Sequence, residues 1–163
     1  MKIEELEKKI RVLEDIEEIK KLHYRYINGL TVSNIEEILP CFSQNGVVDI
    51  HAGMAKTPEE RKKIFKKLTS EHHIGQEGNF MVHPVISVNG DKATGSWLLY
   101  LQWAQPRKMN PRPTIFTTDD APDWMQGFYD TEYVRENGAW KISYLKLRIR
   151  LASPMSTLLG FKP

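Results

Sequence analysis

The sequence lacks residues that could form a disulfide within the chain and lacks long apolar runs that could span a membrane. Cys41 is the only cysteine among 163 residues, so no disulfide can form within the chain. It lies in an apolar patch, where we expect a small buried hydrophobe rather than a nucleophile. No apolar run approaches the length of a membrane span, and the charged start of the chain is unlike a secretory signal. We therefore expect a cytoplasmic protein with no membrane partner.

An excess of charge of one sign is also lacking. The formal net charge is +2, from 23 Lys and Arg against 21 Asp and Glu, and the lysines are spread along the chain. This pattern argues against a nucleic-acid partner. The sequence has no glycine loop that cradles phosphate, no Gly-x-Ser-x-Gly elbow and no His, Cys and Asp spacing typical of a metal site. We therefore expect no cofactor and no metal.

The pattern that is present predicts a single α+β domain over residues 1–163. Hydrophobic residues make up 40% of the chain, and a chain of this length buries about two-thirds of its unfolded surface. Helical periodicity and capping boxes come first, followed by alternating segments joined by Asn-Gly turns. The predicted helices cover residues 3–30, 33–39 and 57–70, and the predicted strands cover 47–51, 79–88, 92–104, 127–136 and 140–151. Residues 105–124 form a long excursion, the kind of loop that serves as a lid or an interface arm.

The start of the first helix carries a short heptad-like stripe of Ile3, Leu6, Ile10 and Leu13. Two heptads are too few for a coiled coil alone, so residues 1–13 are predicted to protrude and to pack on a neighbouring subunit. The outer face of the sheet must be covered as well. Together these features predict a homo-oligomer, a dimer or a trimer.

Four segments, in this order, carry a resemblance to a known family: residues 15–22 (DIEEIKKL), Tyr26, residues 85–95 (VISVNGDKATG), and residues 127–130 (GFYD) followed by 137–142 (NGAWKI). The chain resembles the SnoaL-like branch of the nuclear transport factor two-like, cystatin-like superfamily, and looks most like its bile-acid 7α-dehydratases. The resemblance implies a cone-shaped α+β barrel with three N-terminal helices packed on a curled, mixed or antiparallel sheet. It also implies a cofactor-free lyase, a dehydratase, or an isomerase that acts on a hydrophobic cyclic small molecule.

The catalytic pair of those relatives is not matched here. The dehydratases pair a His on the first meander strand with an Asp on the first helix, and a Tyr lies five residues before that Asp. Tyr26 matches the Tyr, but the Asp position falls on Thr31 and the His position falls near Asn79 or Phe80. The chain therefore needs substitutes if it is an enzyme, and Tyr26 is the predicted hydrogen-bond donor.

His83 is the substitute base that the alternation suggests. A period of two places Asn79, Met81 and His83 on one face of their strand, so a pocket that Asn79 lines would also include His83. Histidine exchanges protons near neutral pH, which suits it to the role of general base. A histidine that is hydrogen-bonded within the core is the competing interpretation. His23, one turn before Tyr26, is interpreted as structural or exposed.

Two further strands could contribute polar groups. Asp49 becomes the missing carboxylate only if its strand presents Asp49 inward and Ile50 outward; the resemblance implies the reverse, with Ile50 in the pocket. Arg148 lies near a pocket Arg of the dehydratases and could bind an anionic substrate group, although a solvated or subunit-facing row is the alternative.

Large apolar side chains supply the predicted pocket wall. They are Met81, Trp97, Trp103 and Tyr129, with simple core packing as the alternative. The expected partner is a small apolar molecule. Two other functions stay open: a non-catalytic binding protein of the same fold, and a small structural subunit whose residues 105–124 are a docking arm.

Overall fold

The computed structural model describes residues 2–50, 52–72, 77–103 and 124–153. Within these ranges there are three α-helices and six strands; the helices and five of the strands follow the predicted order, with a 3₁₀ turn after the second helix and a π turn at Leu68–His72 after the third. The helices are α1 (Ile3–Thr31), α2 (Ile35–Ile38) and α3 (Pro58–Lys67); the strands are β1 (Phe42–Ile50), β2 (Gly53–Ala55), β3 (Glu77–Asn89), β4 (Lys92–Trp103), β5 (Trp124–Glu136) and β6 (Ala139–Ser153). The α+β class is confirmed. The strand β2 was not predicted, and the predicted 105–124 excursion lies almost wholly outside the described residues.

The six strands form one mixed sheet in the order β2-β1-β6-β5-β4-β3. All neighbouring pairs are antiparallel except β1 and β6, which run parallel. The sheet is curled but not closed, and its concave inner face receives α1 and α3. The expected mixed, curled sheet is thus confirmed.

Strict alternation along β4 and β5 assigns the two faces of the sheet. Trp97, Leu99 and Leu101 are buried, and their cross-strand partners Tyr129, Gly127 and Met125 are buried as well. These residues therefore face inward. Their neighbours Leu98, Tyr100 and Phe128 point to the outer face, where they are half-buried. The inner face and one side of α1 form the core.

A salt-bridge cluster fastens α1 to the hairpin end of the sheet. The Arg135 guanidinium donates to the Asp15 carboxylate and lies 3.1 Å from Asp91 and 3.7 Å from Glu18. It also lies 4.6 Å from the centre of the Trp140 ring, whose Nε1 donates to Asp15 at 3.1 Å. The Asp15 carboxylate thereby accepts hydrogen bonds from both the Arg135 guanidinium and the Trp140 indole. Asp15 and Trp140, two of the residues on which the family resemblance rests, therefore help to attach α1 to the sheet.

Arg61 corrects one expectation from the sequence. The helical pattern predicts that it faces solvent, but only 4% of Arg61 is exposed. Its guanidinium donates to the carbonyl oxygens of Gly46, Ser43 and Gln44, where β1 shifts register against β6. A bulge turns these carbonyls out of the strand ladder, and Arg61 satisfies them.

The predicted N-terminal stripe is uncovered in the monomer. Ile3, Leu6, Ile10 and Leu13 are all exposed, and the outer sheet face adds the exposed Phe80, Val82 and Val85. Apolar surface of this kind is often covered by another subunit. The homo-oligomer stays a prediction.

We expect deletion of residues 1–13 to weaken assembly more than it disturbs the fold, because the deleted turns contribute nothing to the buried core. Analytical ultracentrifugation at micromolar concentration measures the first effect, and thermal unfolding measures the second. A matched control replaces Glu4, Glu7 and Lys8, which are exposed between the stripe positions, with Ser. A full-length chain that sediments as a monomer would contradict the prediction.

Candidate active site

The interior of the cone is built around two tyrosines. Tyr26 comes from α1 and Tyr129 from β5, and both are buried. Their ring centroids lie 6.1 Å apart, and the two rings are nearly perpendicular. Phe42 and Phe65 pack edge-on against Tyr26 from the other side. A pair of hydroxyl groups is therefore held in an aromatic, water-poor environment.

His23 lies one turn before Tyr26 and is completely buried. Its ring stacks on Trp97 at 4.5 Å and meets Tyr26 edge-on at 5.6 Å. The Nδ1 atom lies 2.8 Å from the Tyr133 hydroxyl, whereas Nε2 has no hydrogen-bond partner among the described residues. An imidazole with one unused nitrogen is thus placed inside the cone.

The Tyr133 hydroxyl is the centre of a buried polar cluster. Besides His23, it accepts a hydrogen bond from Trp97 Nε1 at 2.8 Å and lies 2.8 Å from Thr131 Oγ1. The Thr131 hydroxyl donates to the carbonyl of Gly95 at 2.9 Å. Fully connected buried networks of this kind fix side-chain positions.

Burial controls the protonation of these groups. It lowers the pKa of His23 to about 3, because the charged imidazolium would lose its hydration. Burial also raises the pKa of Tyr129 to about 12 and raises the pKa values of Tyr26 and Tyr133. The imidazole and all three hydroxyls are therefore neutral at pH 7, so the site can donate and accept hydrogen bonds without carrying charge.

The inner face is less well covered at the end of the cone farthest from the hairpin turns. By its pairing with Gly127, Ile149 faces inward there, yet 45% of it is exposed. Met81 and Leu147 are half-buried on the same face. Asn79, opposite Leu101, has a buried amide nitrogen with no partner among the described residues. We call this region, defined by Asn79, Met81, Leu147 and Ile149, the open end.

The structure does not place His83 as the alternation predicts. The β3–β4 ladder shifts register between Val82 and Val85, so that two residues stand opposite one. His83 lies in this bulge with φ of +52° and an exposed side chain. The period of two is broken at the bulge, which is why the shared face of Asn79, Met81 and His83 does not extend to His83.

Asp49 and Arg148 lie outside the cone. Asp49 pairs with Lys146 at 3.0 Å on the outer face, whereas Ile50 is buried inward as the resemblance implied. Arg148 forms a two-point salt bridge with Asp130, with one contact at 2.9 Å, and faces outward. Neither an inward Asp49 nor an Arg148 in the pocket is found, because the strand registers turn both side chains away from the interior.

The remaining predicted residues divide by position. Trp97 and Tyr129 lie on the inner wall, as expected. The Thr31 hydroxyl donates to the Ile27 carbonyl at 3.0 Å, so it is occupied by the last turn of α1. The side chain of Trp103 lies outside the described parts of the chain.

A groove of about 650 Å³ lies near the hairpin turns, and its lining combines polar residues such as Ser43, Ser87 and Glu132 with Ala93, Tyr133 and Val134. None of the predicted site residues borders it. In the described ranges no three His, Cys, Asp or Glu residues cluster as metal ligands, and no helix is long and apolar enough to cross a membrane.

The sequence analysis did not select His23, Thr131 or Tyr133 as site residues, and His23 is the one for which a local signal existed. A signal was available, because Ile19, His23, Tyr26 and Leu30 share one face of α1 and all four are buried. The spacing alone does not distinguish a buried histidine from one at the edge of an apolar stripe.

The curled sheet wrapped around helices defines an α+β cone of the cystatin-like kind. The model of the SnoaL-like domain family matches residues 11–146, and the chain belongs to this family. A search of the curated proteins finds no match. The likeness to bile-acid 7α-dehydratases stays a prediction.

Solved structures share the fold at low sequence identity. An NTF2-like protein with a cystatin-like fold from Novosphingobium aromaticivorans has a TM-score of 0.70 and 16% identity, over 97% of this chain and 96% of that one. A hexachlorocyclohexane dehydrochlorinase from Novosphingobium barchaimii has a TM-score of 0.69 and 16% identity, over 90% and 93%. A Novosphingobium aromaticivorans protein assigned provisionally as a scytalone dehydratase has a TM-score of 0.66 and 18% identity, over 88% and 94%.

Proposed function

We propose that the chain is a cofactor-free lyase or isomerase that acts on a hydrophobic cyclic small molecule by general acid–base chemistry inside the cone. The observation that carries the proposal is the buried cluster of His23, Tyr26 and Tyr129, neutral polar groups surrounded by aromatic walls. Structures of the same fold include proteins named for elimination reactions on cyclic compounds, which supports this class of chemistry.

Tyr26 is the donor that we assign to the developing negative charge of the substrate. Its raised pKa keeps the hydroxyl protonated, and a donor in a water-poor site stabilises an oxyanion more strongly than it would in water. The Tyr129 ring, 6.1 Å away from the Tyr26 ring, packs beside this donor.

To test the proposal, we would incubate the protein with hexachlorocyclohexane, scytalone and 1-tetralol and follow loss of HCl or water by mass spectrometry. We expect catalysed elimination from at least one of them. Changing Tyr26 to Phe should lower kcat on the order of a hundredfold, the usual effect of removing one such donor. The matched control is Tyr24→Phe, an exposed tyrosine on the same helix, which should retain wild-type turnover.

Equal losses from both tyrosine variants would contradict the assigned role of Tyr26. A His83→Ala variant that alone abolishes turnover would favour the base predicted from the sequence over a site centred on His23. Binding of all three compounds without conversion would favour the second candidate, a non-catalytic binding protein. That candidate is supported by the resemblance, which puts the Asp position of the dehydratases on Thr31 and the His position near Asn79 or Phe80.

A further inference from the structure

The proton positions in the buried cluster can be assigned by counting donors and acceptors. Trp97 Nε1 can only donate, so the Tyr133 oxygen accepts that bond. Thr131 has one hydroxyl proton, and its Oγ1 lies 2.9 Å from the Gly95 carbonyl, which can only accept. If Thr131 donates to Gly95, the contact between Thr131 and Tyr133 requires Tyr133 to donate its single proton to Thr131.

The contact between Tyr133 and His23 then needs a proton from the imidazole. Tyr133 has already used its own proton, so His23 Nδ1 must carry the hydrogen and donate it. This arrangement makes all four contacts of the cluster into hydrogen bonds. The opposite arrangement, with Tyr133 donating to Nδ1, requires Thr131 to donate to Tyr133 and leaves the 2.9 Å contact with Gly95 without a proton.

The unused nitrogen supports the same assignment. In the opposite arrangement Nε2 would carry a hydrogen that has no acceptor among the described residues, and a buried N–H group without an acceptor is rare in folded proteins. With the proton on Nδ1, Nε2 is a bare lone pair, which is tolerated better when unpaired. The two nitrogens of an imidazole point in different directions, so the lone pair faces away from Tyr133.

We propose that Tyr133 holds His23 in the neutral tautomer protonated on Nδ1, and that the bare Nε2 accepts a hydrogen bond from a hydroxyl group of the ligand. The inference deepens the proposed function and rests on it for the identity of the site. It names the ligand class as a hydrophobic cyclic molecule that carries a hydroxyl group. A halogenated or ether analogue of the same shape would leave the buried acceptor unpaired and bind more weakly.

The stacking of the imidazole on Trp97 gives the acceptor a fixed direction. The 4.5 Å stack and the bond to Tyr133 together prevent the ring from turning, so Nε2 is positioned before the ligand binds. The Tyr26 ring lies 5.6 Å from the imidazole, centre to centre, and meets it edge-on. His23 is therefore the residue that selects for a hydroxyl group on the ligand, and it lies beside Tyr26, the donor of the proposed reaction.

The test is nitrogen NMR on the full chain labelled with ¹⁵N-histidine, with the His23 signals identified by their loss in His23→Phe. We expect a protonated Nδ1 and a bare Nε2 in the free protein. In Tyr133→Phe, which loses the acceptor for Nδ1, we expect the tautomer to reverse. A free wild-type protein whose Nε2 carries the proton would overturn the assignment. If His23→Phe does not fold, the change caused by Tyr133→Phe identifies the signals instead.

The ligand class is tested with 2-naphthol and 2-methoxynaphthalene, which share a ring system but differ in the hydroxyl donor. We expect 2-naphthol to bind roughly tenfold or more tightly, which corresponds to about one good hydrogen bond, and to shift the Nε2 signal. In His23→Phe the preference should vanish. Equal affinities, or a bound 2-naphthol that leaves Nε2 unmoved, would overturn the inference. A protein that binds 2-naphthol at Nε2 but converts no substrate would keep this inference and contradict the lyase proposal.

Discussion

Acidification from pH 7 to pH 4 should weaken the fold by about 3 kcal/mol through His23 alone. The folded protein holds the pKa of His23 at about 3, against 6.5 for an exposed histidine, because burial penalises the charged ring. Between these values the unfolded chain binds one more proton than the folded chain. The free energy of unfolding therefore falls by about 1.4 kcal/mol per pH unit below pH 6.5, and the loss ends near pH 3.

Urea unfolding at several pH values measures this slope. Carboxylates also titrate in the range, so the comparison that isolates His23 is the difference in slope between the wild type and His23→Phe. The Tyr24→Phe variant, which changes an exposed ring on the same helix, should keep the wild-type slope. Identical slopes for the wild type and His23→Phe would contradict a neutral buried His23. If the variant does not fold, His23 signals that titrate near pH 6 in the wild type would contradict it equally.

Replacement of Arg61 with Met should lower the free energy of unfolding by about 3–5 kcal/mol. The variant keeps an apolar stem of similar length but leaves the carbonyls of Ser43, Gln44 and Gly46 without their donor. Each buried carbonyl that loses its partner costs about 1–3 kcal/mol, and the bulge cannot return to a regular ladder without moving β1. The loss is large relative to the total stability of about 5–15 kcal/mol that is typical of a domain.

Chemical denaturation of Arg61→Met measures this loss, with Lys62→Met as the matched control. Lys62 is the neighbouring basic residue on α3 and is exposed, so its replacement should change stability by less than about 0.5 kcal/mol. A similar small change for both variants would show that the bulge carbonyls find other partners when Arg61 is removed.

Much of the fold could be predicted from the sequence because its signals are local. The long periodic helix, the Thr57 capping box and the two Asn-Gly turns each depend on residues within a few positions of one another. Some boundaries shift: the second helix was predicted from residue 33, whereas α2 begins at Ile35 after Asn34, whose side chain accepts the Glu36 amide hydrogen bond as the N-cap. The strand β1 begins at Phe42, before the predicted start at residue 47, because the intervening bulge hides its alternation.

The site was less predictable, since its parts come from distant points of the chain. Tyr26 and Trp97 were selected correctly as inward-facing residues by the resemblance and by the alternation along β4. His83 was selected by an alternation that the bulge interrupts. His23 was not selected because nothing within α1 reveals that its Nδ1 atom contacts the hydroxyl group of Tyr133, 110 residues later in the chain.

The sequence by itself determined the class of fold, the order of the helices and of the strands other than β2, the apolar interior and the family, because hydrophobic period and turn chemistry act over short distances. Only the tertiary structure decided which polar groups lie inside. The register of β6 against β1 and β5 turned Asp49 and Arg148 outward, and the bulge in β3 left His83 exposed. The packing of α1 on the curled sheet buried His23 against Trp97 and Tyr133. Register, bulges and helix packing depend on contacts between distant residues, and that is the physical reason the chemistry of the site could not be predicted from local patterns.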